Sequence, residues 1–145
     1  MSQPPEKSRL PTVAVAESCT GGLLMARIVA TPGSGDWFKG GVVAYHPEVK
    51  YELLGVDPGP VVTARAAEQM AEGVRRLFGA EIGISTTGVA GPETEEGRPV
   101  GSVFVGLFDD AGPESYHLQL DGLPEEIRSR AVAFAMDRLE GALTT

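Results

Sequence analysis

A turn of small hydroxyl and glycine residues follows the first short apolar segment of the chain. The segment Ser18 to Gly22 (SCTGG) precedes a run that reads as a helix from Leu23. Backbone N–H groups at such a helix start, together with the helix dipole, favour the binding of an anion. The simpler interpretation is that Ser18 or Thr20 caps the helix while the glycines relax the turn. Spacing alone leaves both interpretations open.

A phenol and an amine follow the second apolar segment. Tyr45 ends the run GVVAY, and Lys50 comes five residues later. Such a pair near a serine makes a proton relay if burial or a neighbouring cation lowers the pKa of the lysine. A half-buried aromatic ring and a solvated lysine are the commoner outcome for these residue types.

The third candidate segment, Thr86 to Pro92 (TTGVAGP), also directly follows an apolar run. Its hydroxyl and N–H groups are suited to a phosphate or a carbonyl oxygen, although a plain Gly-Pro turn is equally consistent with it. The acidic stretch Glu93 to Glu96 favours a solvated loop over a metal site, and His46 and His117 show no metal-ligand spacing. We therefore predict no metal and no cofactor.

These segments require a framework of strands and helices to bring them together. Apolar periodicity and turn residues predict the order β-α-β-α-α-β-β-β-α. The predicted strands are Thr12 to Ala16, Gly41 to Tyr45, Glu81 to Thr86, Val100 to Phe108 and Ser115 to Leu120, and the predicted helices are Leu23 to Val29, Pro47 to Leu54, Thr63 to Phe78 and Glu125 to Leu143.

The predicted order gives a single α/β domain of three layers, with helices on both faces of a mixed sheet. Residues 1–11 read as a flexible lead-in, and residues 12–145 as the domain. Each candidate segment follows a strand, and loops at the carboxyl ends of strands in an open α/β sheet converge on a crevice. We therefore expect the three segments to form one small-ligand site.

Composition limits the classes of partner. The net charge of −8 argues against direct binding of nucleic acid or of an anionic membrane, since both favour basic surfaces. Cys19 is the single cysteine, so no intrachain disulfide forms. No apolar run reaches the roughly 20 residues that cross a bilayer, and the amino terminus lacks a signal-peptide pattern. The expected location is the cytoplasm, and the apolar carboxy-terminal helix suggests a homodimer or higher homo-oligomer.

Several motifs in order resemble the CinA carboxy-terminal domain family across nearly the whole chain. They are AESCTGG (Ala16 to Gly22), PGS (Pro32 to Ser34), WFKGGVVAY (Trp37 to Tyr45), KYELLGV (Lys50 to Val56), TGVAGP (Thr87 to Pro92) and RPVGSV (Arg98 to Val103). The resemblance implies a stand-alone amidohydrolase that converts nicotinamide mononucleotide, a pyridine nucleotide, into nicotinic acid mononucleotide and ammonia. It also implies a serine nucleophile with a supporting tyrosine and lysine.

Carried onto this sequence, the resemblance makes Ser18, Tyr45 and Lys50 the catalytic candidates, with Ser34 as the alternative nucleophile. Family members commonly have a second serine where this chain has Gly35, so a binding or regulatory module linked to competence or DNA damage is the alternative function. The expected contacts to substrate come from Thr20, Gly21, Gly22, Thr87, Gly88, Ala90 and Gly91, with the substrate phosphate on the glycine-rich helix start.

Overall fold

The structure of the protein is a computed structural model that describes residues 9–144. Ten elements follow one another along the chain: β1 (Val13–Glu17), α1 (Leu23–Val29), a 3-10 turn (Ser34–Asp36), β2 (Phe38–Val43), α2 (Pro47–Leu54), α3 (Ala64–Phe78), β3 (Ile82–Gly88), β4 (Ser102–Asp109), β5 (Gly112–Gln119) and α4 (Pro124–Thr144). The predicted order of strands and helices is confirmed. Most of the predicted lead-in, residues 1–8, lies outside the described residues.

The five strands form one mixed sheet in the order β2-β1-β3-β4-β5. Strands β2, β1 and β3 are parallel, whereas β4 and β5 each run antiparallel to the preceding neighbour. The carboxyl ends of β1, β2 and β3 therefore share one edge of the sheet with the start of β4. The turn between β4 and β5 lies at the opposite edge.

Alternating side chains of the buried strand β1 separate two cores. Val13 and Val15 pack with α1 and α4, whose buried side chains include Leu24 and Leu139. Ala14 and Ala16 face the other way, toward α2 and α3, in a core that contains Leu54, Met70 and Val74. The result is the predicted three-layer α/β/α domain.

Helix α3 packs directly on the sheet because two strand residues lack side chains. A Cβ atom on Gly83 of β3 would collide with the carbonyl oxygen of Ala71, and one on Gly106 of β4 would collide with that of Ala67. The α3 backbone therefore lies against these two strands without an intervening side-chain layer. Among residues 9–144, no helix has the length and apolar character needed to cross a membrane.

Candidate active site

A cavity of about 230 Å³ opens at the edge where β1, β2 and β3 end. Its walls come from the turns after these three strands, from α2 and from α4. The candidate residues that line it are Ser18, Tyr45, Lys50, Gly88, Ala90 and Gly91.

Ser18 and Lys50 are both almost completely buried in this cavity, with 5% and 3% of their surface exposed. Lys50 lies in the first turns of α2, whose start is set by Pro47 and by the His46 ring, which accepts a hydrogen bond from the Glu48 N–H at 3.2 Å. Burial lowers the pKa of Lys50 below the ordinary lysine value of 10.5. A neutral amine is therefore more accessible here than on the surface.

Tyr45 also lines the cavity, but 73% of its surface is exposed. Its ring stands at the mouth of the cavity, whereas Lys50 lies within the wall. This position suits contact with a bound ligand better than proton transfer inside the wall.

Cys19 lies next to Ser18 in the cavity wall and contrasts with it chemically. Burial raises the pKa of the Cys19 thiol to about 12, and the positive charges of Lys50 and Arg128 only partly oppose this effect. Since the thiolate is the nucleophilic form of cysteine, the protonated Cys19 is a poor nucleophile.

Glu17, which was not among the predicted site residues, caps helix α1 from inside the core. Its carboxylate is fully buried and accepts hydrogen bonds from the backbone N–H groups of Gly22, Leu24 and Met25 at 3.2, 3.0 and 2.7 Å. The N–H groups of Gly21 and Leu23 donate to backbone carbonyls within the same turn. Every N–H group from residue 21 to residue 25 therefore already has an acceptor.

The expectation that a phosphate binds at this helix start is not met, because the Glu17 carboxylate occupies the anion position. Thr20, Gly21 and Gly22 are also absent from the residues that line the cavity. The sequence shows an acidic residue ahead of the glycine pair, and a carboxylate near a helix amino terminus is favourable, but the sequence does not fix the direction of its side chain.

The threonine hydroxyls bond within the protein. The Thr20 hydroxyl donates to the Glu17 carboxylate at 2.5 Å. Because its only hydrogen is used in that bond, the Thr86 hydroxyl is the donor in the 2.7 Å bond between Thr86 Oγ1 and Thr20 Oγ1. The Ser18 N–H in turn donates to Thr86 Oγ1 at 3.4 Å. Thr87 Oγ1 donates to the carbonyl oxygen of Val61 at 2.8 Å. These bonds fix the turn after β1 against β3, and they leave Thr20 and Thr87 no direct role at the cavity surface.

Ser34 lies away from this cavity. It starts the 3-10 turn that leads into β2, and its hydroxyl donates to the Val29 carbonyl at 3.5 Å. The following Trp37 pairs with Val13, at the beginning of β1. Because β1 and β2 are parallel, Ser34 lies toward the amino-terminal ends of these strands, whereas Ser18 follows the carboxyl end of β1. The structure thus brings Ser18, Tyr45 and Lys50 together and leaves Ser34 apart.

The acidic loop after β3 forms part of the cavity wall through Glu95 and Glu96. The Glu96 carboxylate accepts hydrogen bonds from the N–H groups of Val61 and Val62, each at 2.9 Å. These contacts attach the loop to the segment that leads into α3. Within residues 9–144, no group of three His, Cys, Asp or Glu side chains is placed to hold a metal ion.

Arg128 brings a positive charge to the cavity from α4. Its Nε donates to the carbonyl oxygen of Cys19 at 3.2 Å. Arg128 was not among the predicted site residues, because a guanidinium on a surface-like helix, 109 positions from Cys19, carries no local signal of the contact.

A family model and sequence relatives of this chain point to the same protein family. The family model described as the CinA C-terminal domain matches residues 6–143. A CinA-like protein from Frankia casuarinae is 46% identical over 134 residues, which are 89% of this chain and 31% of that protein. A CinA-like protein from Synechocystis sp. is 46% identical over 147 residues, or 94% of this chain and 35% of that one. This chain thus spans about a third of the length of these relatives.

A solved structure agrees with the same fold. The competence damage-inducible protein A (ComA) from Klebsiella pneumoniae superposes with a TM-score of 0.87 at 31% sequence identity. The match covers 92% of this chain and 87% of that chain.

Proposed function

The chain belongs to the CinA C-terminal domain family, and on that premise we propose that it is an amidohydrolase that deamidates nicotinamide mononucleotide. The observation that carries the proposal is the burial of Ser18 and Lys50 in one cavity, with the pKa of Lys50 lowered by burial. A hydroxyl nucleophile needs a neighbouring base, and a desolvated lysine is suited to that role.

In the proposed reaction, the Ser18 hydroxyl attacks the carboxamide carbon while the neutral Lys50 amine takes its proton. The resulting Lys50 ammonium returns a proton to the amide nitrogen as the C–N bond breaks, so that ammonia leaves and an acyl-enzyme remains. Water, activated by Lys50, then attacks the acyl carbon and restores Ser18, releasing nicotinic acid mononucleotide. Lys50 acts as base and then as acid in each half of the cycle.

The oxyanion of the tetrahedral intermediate needs donors that the fold has not already used. Cys19 and Ala90 line the cavity, and within the described chain neither backbone N–H donates to another residue; the Cys19 N–H contacts only its own thiol. We assign the oxyanion contact to these two groups rather than to Gly21 and Gly22. Loss of one such donor typically raises a barrier by about 2.7–4 kcal/mol.

The test is ammonia release from nicotinamide mononucleotide by the purified protein, by the Ser18→Ala variant and by the Ser34→Ala variant. We expect Ser18→Ala to lose about 10³-fold or more in kcat while it stays folded. Ser34→Ala is the matched control, because its hydroxyl lies outside the cavity. Binding of the nucleotide without ammonia release by the unmodified protein would overturn the proposal in favour of a binding module.

A further inference from the structure

The Arg128 side chain lines the cavity, and only one nitrogen of its guanidinium donates a hydrogen bond within the described chain. It is partly buried, and its Nε is held by the Cys19 carbonyl oxygen at 3.2 Å, in the same turn as Ser18. Within the described chain, its two Nη groups have no hydrogen-bond or ion-pair partner. One bond therefore orients the planar group and leaves its other donors available to a ligand in the cavity.

The other anion-binding groups around the cavity are already occupied, apart from the Cys19 and Ala90 N–H groups assigned to the oxyanion. The N–H groups at the start of α1 are bonded to Glu17 and to backbone carbonyls, and those of Val61 and Val62 are bonded to Glu96. Lys50 is buried in the wall, where burial favours its neutral form. Among the described residues 9–144, Arg128 is the remaining permanent cation of the cavity lining.

We propose that Arg128 binds the phosphate of the substrate nucleotide and so makes the enzyme prefer the nucleotide over the corresponding nucleoside. This inference rests on the proposed amidohydrolase function. A guanidinium matches two phosphate oxygens with two parallel N–H donors, which gives a strong and directional contact.

The charges of the lining agree with this assignment. The protein carries a net charge of −8, but the cavity places Lys50 and Arg128 beside Glu95 and Glu96. The Glu96 charge is shared with two N–H donors, and both carboxylates act on Lys50. The positive charges of Lys50 and Arg128 both act on Cys19. A dianionic phosphate therefore finds its attractive position beside Arg128, whereas the glutamates repel it from the Lys50 side.

The experiment compares nicotinamide mononucleotide with nicotinamide riboside, which lacks the phosphate. We expect Arg128→Gln to lower kcat/KM for the mononucleotide about 10- to 100-fold more than kcat/KM for the riboside, mainly through KM. Arg128→Lys should keep part of the preference. Arg130→Gln is the control, because Arg130 lies exposed on the same helix and donates to the Asp121 carbonyl at 2.8 Å, outside the cavity.

The ratio of the two kcat/KM values separates phosphate binding from a structural effect. A role limited to holding the Cys19 turn would lower both values together, and this result would overturn the proposal. If the unmodified protein releases no ammonia, calorimetric dissociation constants for the same two ligands replace the kinetic values. Loss of turnover then counts against the amidohydrolase, whereas an unchanged affinity ratio in Arg128→Gln counts against the phosphate contact.

Discussion

Glu17 Oε2 accepts a hydrogen bond from the Met25 N–H at 2.7 Å, which joins the last residue of β1 to the third residue of α1. The turn between these elements carries Ser18 and Cys19. The same carboxylate also accepts hydrogen bonds from the Gly22 and Leu24 N–H groups, so a single side chain holds the two ends of the turn together. The direction of the proposed nucleophile therefore depends on a residue outside the cavity lining.

Replacing Glu17 tests this dependence. We expect Glu17→Gln to lower the free energy of unfolding by about 2–4 kcal/mol, because an amide replaces the buried charge and turns a donor group toward other donors. Denaturant unfolding of the variant gives the value. Glu52→Gln, on the exposed side of α2, should stay within about 0.5 kcal/mol of the unmodified protein. A similarly small change for Glu17→Gln would contradict the capping role.

The pH dependence of turnover tests Lys50 as the base. Since burial lowers its pKa from 10.5, the active neutral amine forms at lower pH than for an exposed lysine. We expect kcat/KM to rise with pH and to level off below pH 10.5. Lys50→Met should lose roughly 10²–10⁴-fold and the pH-dependent rise with it.

The control for this measurement is Lys39→Met, because Lys39 is an exposed lysine whose Nζ donates to the Gly79 carbonyl at 3.3 Å, away from the cavity. It should keep the full rate. A Lys50→Met enzyme with the same pH profile as the unmodified protein would exclude Lys50 as the titrating group.

Gly35 lies next to Ser34, away from the cavity, so the absence of a serine at position 35 should not affect turnover. Its backbone is unstrained for other residues, and an added Cβ would meet no atom within 4 Å. We expect Gly35→Ser, which recreates the serine pair common in the family, to fold normally and to leave ammonia release unchanged. A large gain in rate would mean that the turn at Ser34 takes part in the reaction, contrary to its place in the fold.

The thiol of Cys19 should resist alkylation in the folded protein. Burial raises the pKa of the thiol to about 12, so the reactive thiolate is scarce at pH 8, and the side chain is buried as well. Iodoacetamide labelling followed by mass spectrometry should show an unmodified native protein and a singly modified protein in guanidinium chloride. Rapid labelling without denaturant would show that the turn opens in solution.

The helices were predictable because their ends carry strong local signals. Thr63 caps α3, with its hydroxyl accepting from the Ala66 N–H, and Gly55 and Gly79 end α2 and α3 in the left-handed conformation that glycine favours. The predicted bounds of α1 and α2 agree with the structure at both ends.

The strand ends were less predictable, for reasons that lie in tertiary contacts. Strand β3 continues to Gly88 through Thr86 and Thr87, whose hydroxyls are buried because each finds a partner in the fold. Strand β5 begins at Gly112, before the predicted Ser115, and includes Pro113. An edge strand accepts proline because one side of its backbone has no neighbouring strand.

The candidate site was predictable where it lies close in sequence to strand ends. Ser18, Tyr45 and Lys50 follow β1 and β2, and the parallel sheet places them at one edge. Glu17 and Arg128 were missed for a different reason. The role of each depends on the direction of one long side chain, toward α1 for Glu17 and toward Cys19 for Arg128, and local sequence does not encode that direction.

The turn between β4 and β5 is a practical site for attaching a label or a tether, because it lies at the end of the sheet opposite the cavity. Strand β4 starts beside the end of β3 at the cavity edge and runs away from it for eight residues, a distance of about 26 Å. Its turn to β5 carries Asp110, whose side chain is fully exposed. A fluorophore, an affinity peptide or a surface tether placed there would report on or immobilise the protein while leaving ligand entry on the far side unobstructed.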